Sequence, residues 1–183
     1  STGRSANRGE CAQICRLPYT LRDNSGKIIA KDKHLLSLRD FNASDKLPEL
    51  IDAGVHSFKI EGRLKDVDYV KNITAFYNKK LNDIIAGSNG YLVRNSYGKS
   101  IAFFDAAPEK SFNRGFTDYF LSSRRPKSIA SILTPKSMGE VIKDISVLNN
   151  GDGISYFDRN GQYQGVNVNK IENGKIVTGR KVD

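Results

Sequence analysis

Val55-His56-Ser57-Phe58-Lys59-Ile60-Glu61-Gly62-Arg63-Leu64-Lys65 is the stretch that decides the fold class. Phe58 and Ile60 alternate with Ser57, Lys59 and Glu61, the period of a half-buried strand over residues 55–61. Gly62 then lets the backbone turn sharply or approach a ligand. Immediately downstream, Asp66 is placed to cap a long helix in which Val67, Val70, Thr74, Tyr77, Leu81 and Ile84 recur at helical spacing until Gly87. Upstream, Ser44 is placed to cap a short helix with Leu47, Leu50 and Ile51 on one face, Pro48 in its first turn and Gly54 as its stop. Before that, Leu35, Leu36 and Leu38 form an apolar run that reads as a buried strand delivering Arg39 and Asp40 at its end. Strand, helix, strand, helix with short loops predicts a parallel sheet, and a parallel sheet needs more than two strands. The expectation is therefore α/β plus β, opening with the closing β/α units of an incomplete TIM-like barrel over residues 1–86. In such a barrel Phe58 and Ile60 face the helices. Lys59 and Glu61 face the interior, and Glu61, Arg63 and Lys65 stand at the rim where chemistry gathers.

On either side of this core the texture changes. Residues 1–26, rich in Gly, Arg, Asn and Ser around Cys11 and Cys15, read as irregular. Residues 87–127 read as a basic linker that ends in Arg124-Arg125-Pro126-Lys127. From residue 128 to 183 the pattern is that of a small antiparallel β-barrel. Residues 140–145 alternate, Gly151-Asp152-Gly153 turns into a strand over 154–157, Arg159-Asn160-Gly161 turns again, and Glu172-Asn173-Gly174 closes another hairpin.

The formal charge of +9 and sequence pI near 9.5 favour an anionic partner. Nucleic acid comes ahead of a membrane surface, because no basic amphipathic helix with a Trp or Phe face is present. The excess is densest over residues 87–135. No apolar run reaches the roughly 18 residues of a membrane span. Two cysteines make no disulfide framework, so a reducing, cytoplasmic setting is expected.

Cys11-Ala12-Gln13-Ile14-Cys15 holds two thiols that could share one metal centre, yet iron–sulfur and zinc sites ordinarily take four protein ligands. His34 lies among lysines and His56 opens the second strand, which leaves them poor substitutes. Two reduced structural thiols are an equal reading. Arg4, Arg8 and Arg16 around the pair tilt it toward function, since thiolates, anionic clusters and substrate carboxylates all favour fixed positive charge. At Glu61-Gly62-Arg63-Leu64-Lys65, Arg63 suits a bidentate grip on carboxylate or phosphate, whereas the plain alternative is a surface ion pair of Glu61 with Arg63 or Lys65. Neither a Ser-His-Asp arrangement, a zinc-protease motif nor a Gly-rich phosphate loop occurs.

Taken together, Gly3-Arg4-Ser5-Ala6-Asn7-Arg8-Gly9-Glu10-Cys11-Ala12-Gln13-Ile14-Cys15-Arg16, Leu35-Leu36-Ser37-Leu38-Arg39-Asp40, Leu47-Pro48-Glu49-Leu50-Ile51 and Ala53-Gly54-Val55 through Arg63 resemble the collagenase-like peptidase family. Phe112-Asn113-Arg114-Gly115-Phe116-Thr117 resembles a further stretch of it, and residues 136–183 look like its C-terminal β-barrel. Within the family, the chain is most similar to the bacterial rRNA cytidine hydroxylase branch.

That resemblance implies several things. The family's name records proteases of unassigned catalytic type, while better-understood members hydroxylate tRNA or rRNA or act in ubiquinone synthesis. Several hold an iron–sulfur cluster on four cysteines, the last two matching Cys11 and Cys15. The other two would lie upstream, so the missing N-terminal part of the chain is an expected partner and the fragment alone should lack a normal cluster. Prephenate is the implied metabolite. Glu61, Arg63, Lys65 and Lys59 are then the candidate catalytic group, with Glu61 orienting and the cations holding phosphate or prephenate carboxylates. Arg4, Arg8, Arg16, Arg39, Arg114, Arg124, Arg125 and Lys127 are the candidate RNA or anion contacts.

The first reading is thus the C-terminal part of an iron–sulfur-dependent RNA hydroxylase. The rivals are a protease, as the family name says, and a non-catalytic RNA-binding module whose basic stretch 114–127 contacts RNA.

Overall fold

The computed structural model describes residues 3–62, 65–126 and 128–179. These residues are a mixture of helix and small sheets, and they pack as two compact units. One joins Ser1–Ser37 with Ile132–Asp183, and the other is Leu38–Ser131.

In the first unit, strands β1 (Tyr19–Arg22) and β2 (Ile28–Lys33) form an antiparallel hairpin inside the stretch read as irregular. Its turn is organised by Asp23, whose Oδ1 accepts from Ser25 N at 2.9 Å, Ser25 Oγ at 2.6 Å and Lys27 N at 3.0 Å. These bonds hold the Asp23 carboxyl below its ordinary range, the Ser25 hydroxyl contributing most. An Asx-type turn between Tyr-Thr-Leu and Ile-Ile was the available signal.

The unit's other sheet is antiparallel in the order β5 (Gly153–Phe157), β6 (Tyr163–Glu172), β7 (Lys175–Thr178). Both anticipated hairpins are present. Asn173 and Gly174 sit at φ 49° and 69°, as a tight β6–β7 turn between paired Glu172 and Lys175 requires. Two expectations are corrected here. Residues 140–143 form no strand and 145–147 form a 3₁₀ turn capped by Asp144, whose Oδ1 accepts from Ser146 N at 2.9 Å. Strands β5–β7 form an open three-stranded sheet rather than a closed barrel, because Val168 is the one deeply buried apolar residue on them and barrel closure needs more inward side chains.

In the second unit, a 3₁₀ turn (Ser44–Lys46) leads into helix α1 (Leu47–Asp52), with Pro48 in its first turn. Ser44 therefore opens the preceding turn instead of capping the α-helix. Helix α2 (Val67–Gly87) starts where expected, and Asp66 accepts from Tyr69 N at 2.7 Å. Tyr77 Oη donates to Asn42 Oδ1 at 2.9 Å and Lys80 Nζ meets Asp45 Oδ1 at 3.1 Å, fastening α2 to the residues that precede α1. Leu47, Ile73 and Pro108 are among this unit's buried apolar residues.

The two expected strands need correction. At 35–38 the chain turns, and Leu36 and Leu38 remain half exposed, Leu38 making an isolated bridge to Ala130. The strand itself is displaced to β3 (Asp40–Phe41), paired in parallel with β4 (Phe116–Thr117). Residues 55–61 form no strand, because no described residue pairs with them. Alternation marks what a strand would bury, and only a neighbouring strand supplies its hydrogen bonds. β3 and β4 are the described parallel pair, and no TIM-like barrel forms among the described residues.

Candidate anion-binding site at the β3–β4 pair

The segment 112–117 builds the site. Asn113 is buried and works as an internal clamp: its Nδ2 donates to Glu109 O at 2.9 Å and Ser111 O at 3.0 Å, and its Oδ1 accepts from Gly115 N at 3.0 Å. Gly115 takes φ 78°, and a Cβ there would stand 3.6 Å from Arg39 Nε, so the Arg39 side chain lies against its backbone. This turn delivers Phe116 and Thr117 to β3, where Asp40 N donates to Gly115 O and Asn42 N to Thr117 O.

Asp40 then faces Arg114. Its Oδ2 accepts from Arg114 N at 2.7 Å and its Oδ1 meets Arg114 Nη1 at 3.3 Å. The guanidinium lies over the Phe112 ring, 4.5 Å from the centroid, and Lys65 Nζ lies 3.1 Å from that same centroid. Lys65 is also 5.2 Å from the Tyr69 ring. Burial, reinforced by the Asp40 carboxylate, pushes the Tyr69 phenol up, so it stays a neutral donor. Tyr119 completes the support, donating from Oη to Arg39 O at 2.9 Å and stacking on Phe41 at 5.3 Å. Arg39 Nε is buried with no hydrogen-bond partner among the described residues, a donor whose lack of an acceptor is costly. Chemically, this is two cations on one aromatic ring beside a phenol and a partly shielded carboxylate. It suits an anionic or π-faced ligand.

The residues singled out from sequence divide accordingly. Arg39, Lys65 and Arg114 come together here. Lys59 and Glu61 pair with each other at 2.8 Å on the surface, 82% and 69% exposed, and Glu61 raises the Lys59 ammonium. Arg63 and Lys127 lie outside the described residues. Arg8 donates to Gly3 O at 2.9 Å and pairs with Glu10 at 3.8 Å. Arg16 Nη1 donates to Ser37 Oγ at 2.8 Å, which ties residues 14–16 to the turn after β2. Arg4, Arg124 and Arg125 are exposed. Asp40, Tyr69, Phe112 and Tyr119 were not candidates; the signal for Asp40 was its place beside Arg39 after an apolar run.

Cys11 and Cys15 are both exposed free thiols, with Gln13 N donating to Cys11 Sγ at 3.3 Å. His34 turns Nδ1 to Arg16 O at 2.8 Å, and His56 is exposed. No group of three or more His, Cys, Asp or Glu side chains suited to a metal occurs among the described residues. As a donor set, the two thiols are half of what a four-thiolate cluster takes. No described helix is long and apolar enough to cross a membrane.

A family model described as peptidase family U32 matches residues 1–130. The chain is 47% identical to the 23S rRNA 5-hydroxycytidine C2501 synthase of Escherichia coli, across 93% of this chain and 28% of that protein. It is 32% identical to a collagenase of Porphyromonas gingivalis, across 97% of this chain and 45% of that protein. It is 27% identical to tRNA hydroxylation protein P1 of Bacillus subtilis, across 58% of this chain and 29% of that protein. The chain thus spans less than half the length of each of these relatives. No solved structure matches it.

Proposed function

This chain belongs to peptidase family U32, and we propose that it is part of a longer RNA hydroxylase, acting on rRNA cytidine or on tRNA, in which the β3–β4 site holds an anionic group of substrate or co-substrate. The observation that carries the reading is the 47% identity, over nearly the whole chain, to a protein named for 5-hydroxycytidine synthesis in 23S rRNA. The cation pair on Phe112, with the neutral Tyr69 phenol beside it, supports the reading chemically. Lys65 and Arg114 are the groups we assign to phosphate or to the carboxylates of a metabolite such as prephenate. Asp40 keeps Arg114 oriented. Glu61 and Arg63 complete the rim in the longer protein, where residues 1–86 close a TIM-like β/α barrel, 87–127 link, and 128–183 form a small domain built on the open β5–β6–β7 sheet. The setting is cytoplasmic. Cys11 and Cys15 supply two of the four thiolates of an iron–sulfur cluster, whose role when bound is electron transfer; the other two ligands come from elsewhere in the longer protein.

Nucleoside mass spectrometry of rRNA and tRNA, from cells with and without the full-length gene, tests the reading. A hydroxylated nucleoside is lost on deletion and is restored by the wild type but not by Arg114→Met. Persistence of every hydroxylated nucleoside in the deletion strain would overturn it. In the full-length protein, Cys11→Ser and Cys15→Ser each abolish the cluster chromophore; normal iron content in either variant removes the assignment of that pair. A peptidase is the second reading, favoured by the likeness to the Porphyromonas collagenase. Gelatin cleavage that dies with Arg114→Met, in a strain whose RNA is unchanged by the deletion, would select it.

A further inference from the structure

After helix α2 the chain forms no helix or strand until residue 108, yet the first part of this segment is firmly held. Arg94 donates through Nε to Asn82 Oδ1 at 2.8 Å and through Nη2 to Asn78 Oδ1. Asn78 Nδ2 reaches Ser100 O at 3.4 Å, and Leu92 N donates to Ser88 Oγ at 3.0 Å. The segment therefore runs back along α2 on polar pins, and its rings point outward. Tyr91 is 89% exposed, Tyr97 106% and Phe103 96%. Val93 and Ile101 between them are exposed as well, so the segment offers a run of apolar surface of the kind that marks a contact site.

Charge decides which contact. Arg94 and Lys99 are the charged residues between Ser88 and Phe104, and no acid lies among them. The Asn partners of Arg94 are neutral, so its charge is undiminished. Rings interleaved with uncompensated cations are the pattern of a single-strand nucleic-acid platform, in which bases stack and phosphates follow the cations. A purely apolar protein partner would gain nothing from Arg94 and Lys99, and burying them would cost desolvation. Phe103 itself lines a groove of about 680 Å³ together with Tyr69 and Phe112, so the segment reaches the edge of the β3–β4 site.

The geometry points to residues 91–103 as a docking strip for single-stranded RNA, with Tyr91, Tyr97 and Phe103 stacking on bases and Arg94 and Lys99 tracking phosphates. This rests on the RNA reading above and adds to it the surface and the strandedness of the RNA. The test is fluorescence anisotropy of a labelled oligouridine of about 12 nucleotides, a length within the range of such sites, with the full-length protein across a salt series. Tyr97→Ala and Phe103→Ala each weaken binding about tenfold, while Tyr97→Phe, which keeps the ring, binds as the wild type does. Lys99→Gln lowers the salt slope by about one. Hydroxyl-radical footprinting shows Tyr97 and Phe103 reactive in the free protein and protected by RNA. Wild-type affinity in a Tyr97→Ala/Phe103→Ala double variant, or rings already protected without RNA by the rest of the protein, overturns the strip and leaves the RNA reading standing. Absence of any RNA binding by the wild type overturns the strip, whereas the fate of the parent reading is decided separately by nucleoside analysis.

Discussion

Removing the charge on Asp40 tests whether the β3–β4 site is organised by its ion pair. At 3.3 Å and an effective dielectric of ~20, the Asp40–Arg114 attraction is about 5 kcal/mol before desolvation is counted. Arg114 is 16% exposed and Asp40 33%, so solvent screens the pair only in part. Exposed pairs contribute less than ~1 kcal/mol and breaking a buried one costs ~3–5 kcal/mol, which puts this coupling at about 1–2 kcal/mol. Asp40→Asn keeps an oxygen to accept from Arg114 N, and so isolates the charge. The assay is a double-mutant cycle of Asp40→Asn and Arg114→Met by urea denaturation followed by circular dichroism. The two changes together should cost less than the sum of the singles by that coupling. Additivity to within ~0.3 kcal/mol would refute the reasoning and make the pair a surface coincidence.

Three further outcomes follow from other parts of the fold. Asn72 ties α2 to the turn before segment 112–117, its Nδ2 donating to Ala107 O at 2.7 Å and Ser111 Oγ at 2.6 Å and its Oδ1 accepting from Ala107 N at 2.8 Å. Asn72→Ala should lower stability by about 2–3 kcal/mol in denaturant titration, and a loss under ~0.5 kcal/mol would show those groups re-solvate freely. Gly174→Val places a β-branched side chain at a positive φ and should cost about 1–2 kcal/mol, read as a lower Tm; an unchanged Tm would mean the β6–β7 turn is not formed as described. Asp158 sits below its ordinary value of 3.8, chiefly through the Gln162 amide, with Gln164 Nε2 and the Asn160 amide also donating to it. The stability a depressed carboxylate lends is complete above its ordinary value and is lost as pH falls through its folded one. The β5–β6 hairpin should therefore loosen only below about pH 4, seen as faster amide exchange at Gln162 after allowance for intrinsic rates; a profile unchanged down to about pH 2 would exclude this role for the carboxylate.

Local chemistry was legible in the chain itself. Asp66 caps α2, Asn173-Gly174 turns β6 into β7, and Pro48 opens α1, because each depends on backbone preferences and hydrogen bonds within a few residues. The family was legible too, in the run from Gly3 to Arg16 and in Phe112-Asn113-Arg114-Gly115-Phe116-Thr117. The alternation over residues 55–61 was real but did not suffice. Phe58 and Ile60 specify which face a strand would bury, and a strand exists only when another supplies its hydrogen bonds, which no described residue does here. The site likewise waited on tertiary structure. Arg114 is 74 residues from Asp40, and nothing in the local sequence of either announces the other. Their meeting depends on the Asn113 clamp, on Gly115 admitting the Arg39 side chain, and on the pairing of β3 with β4. Periodicity and capping residues determined the helices and hairpins, because those interactions close over short spans of chain. Which cations share Phe112, and which carboxylate holds Arg114, was decided by long-range pairing between segments whose own propensities are weak.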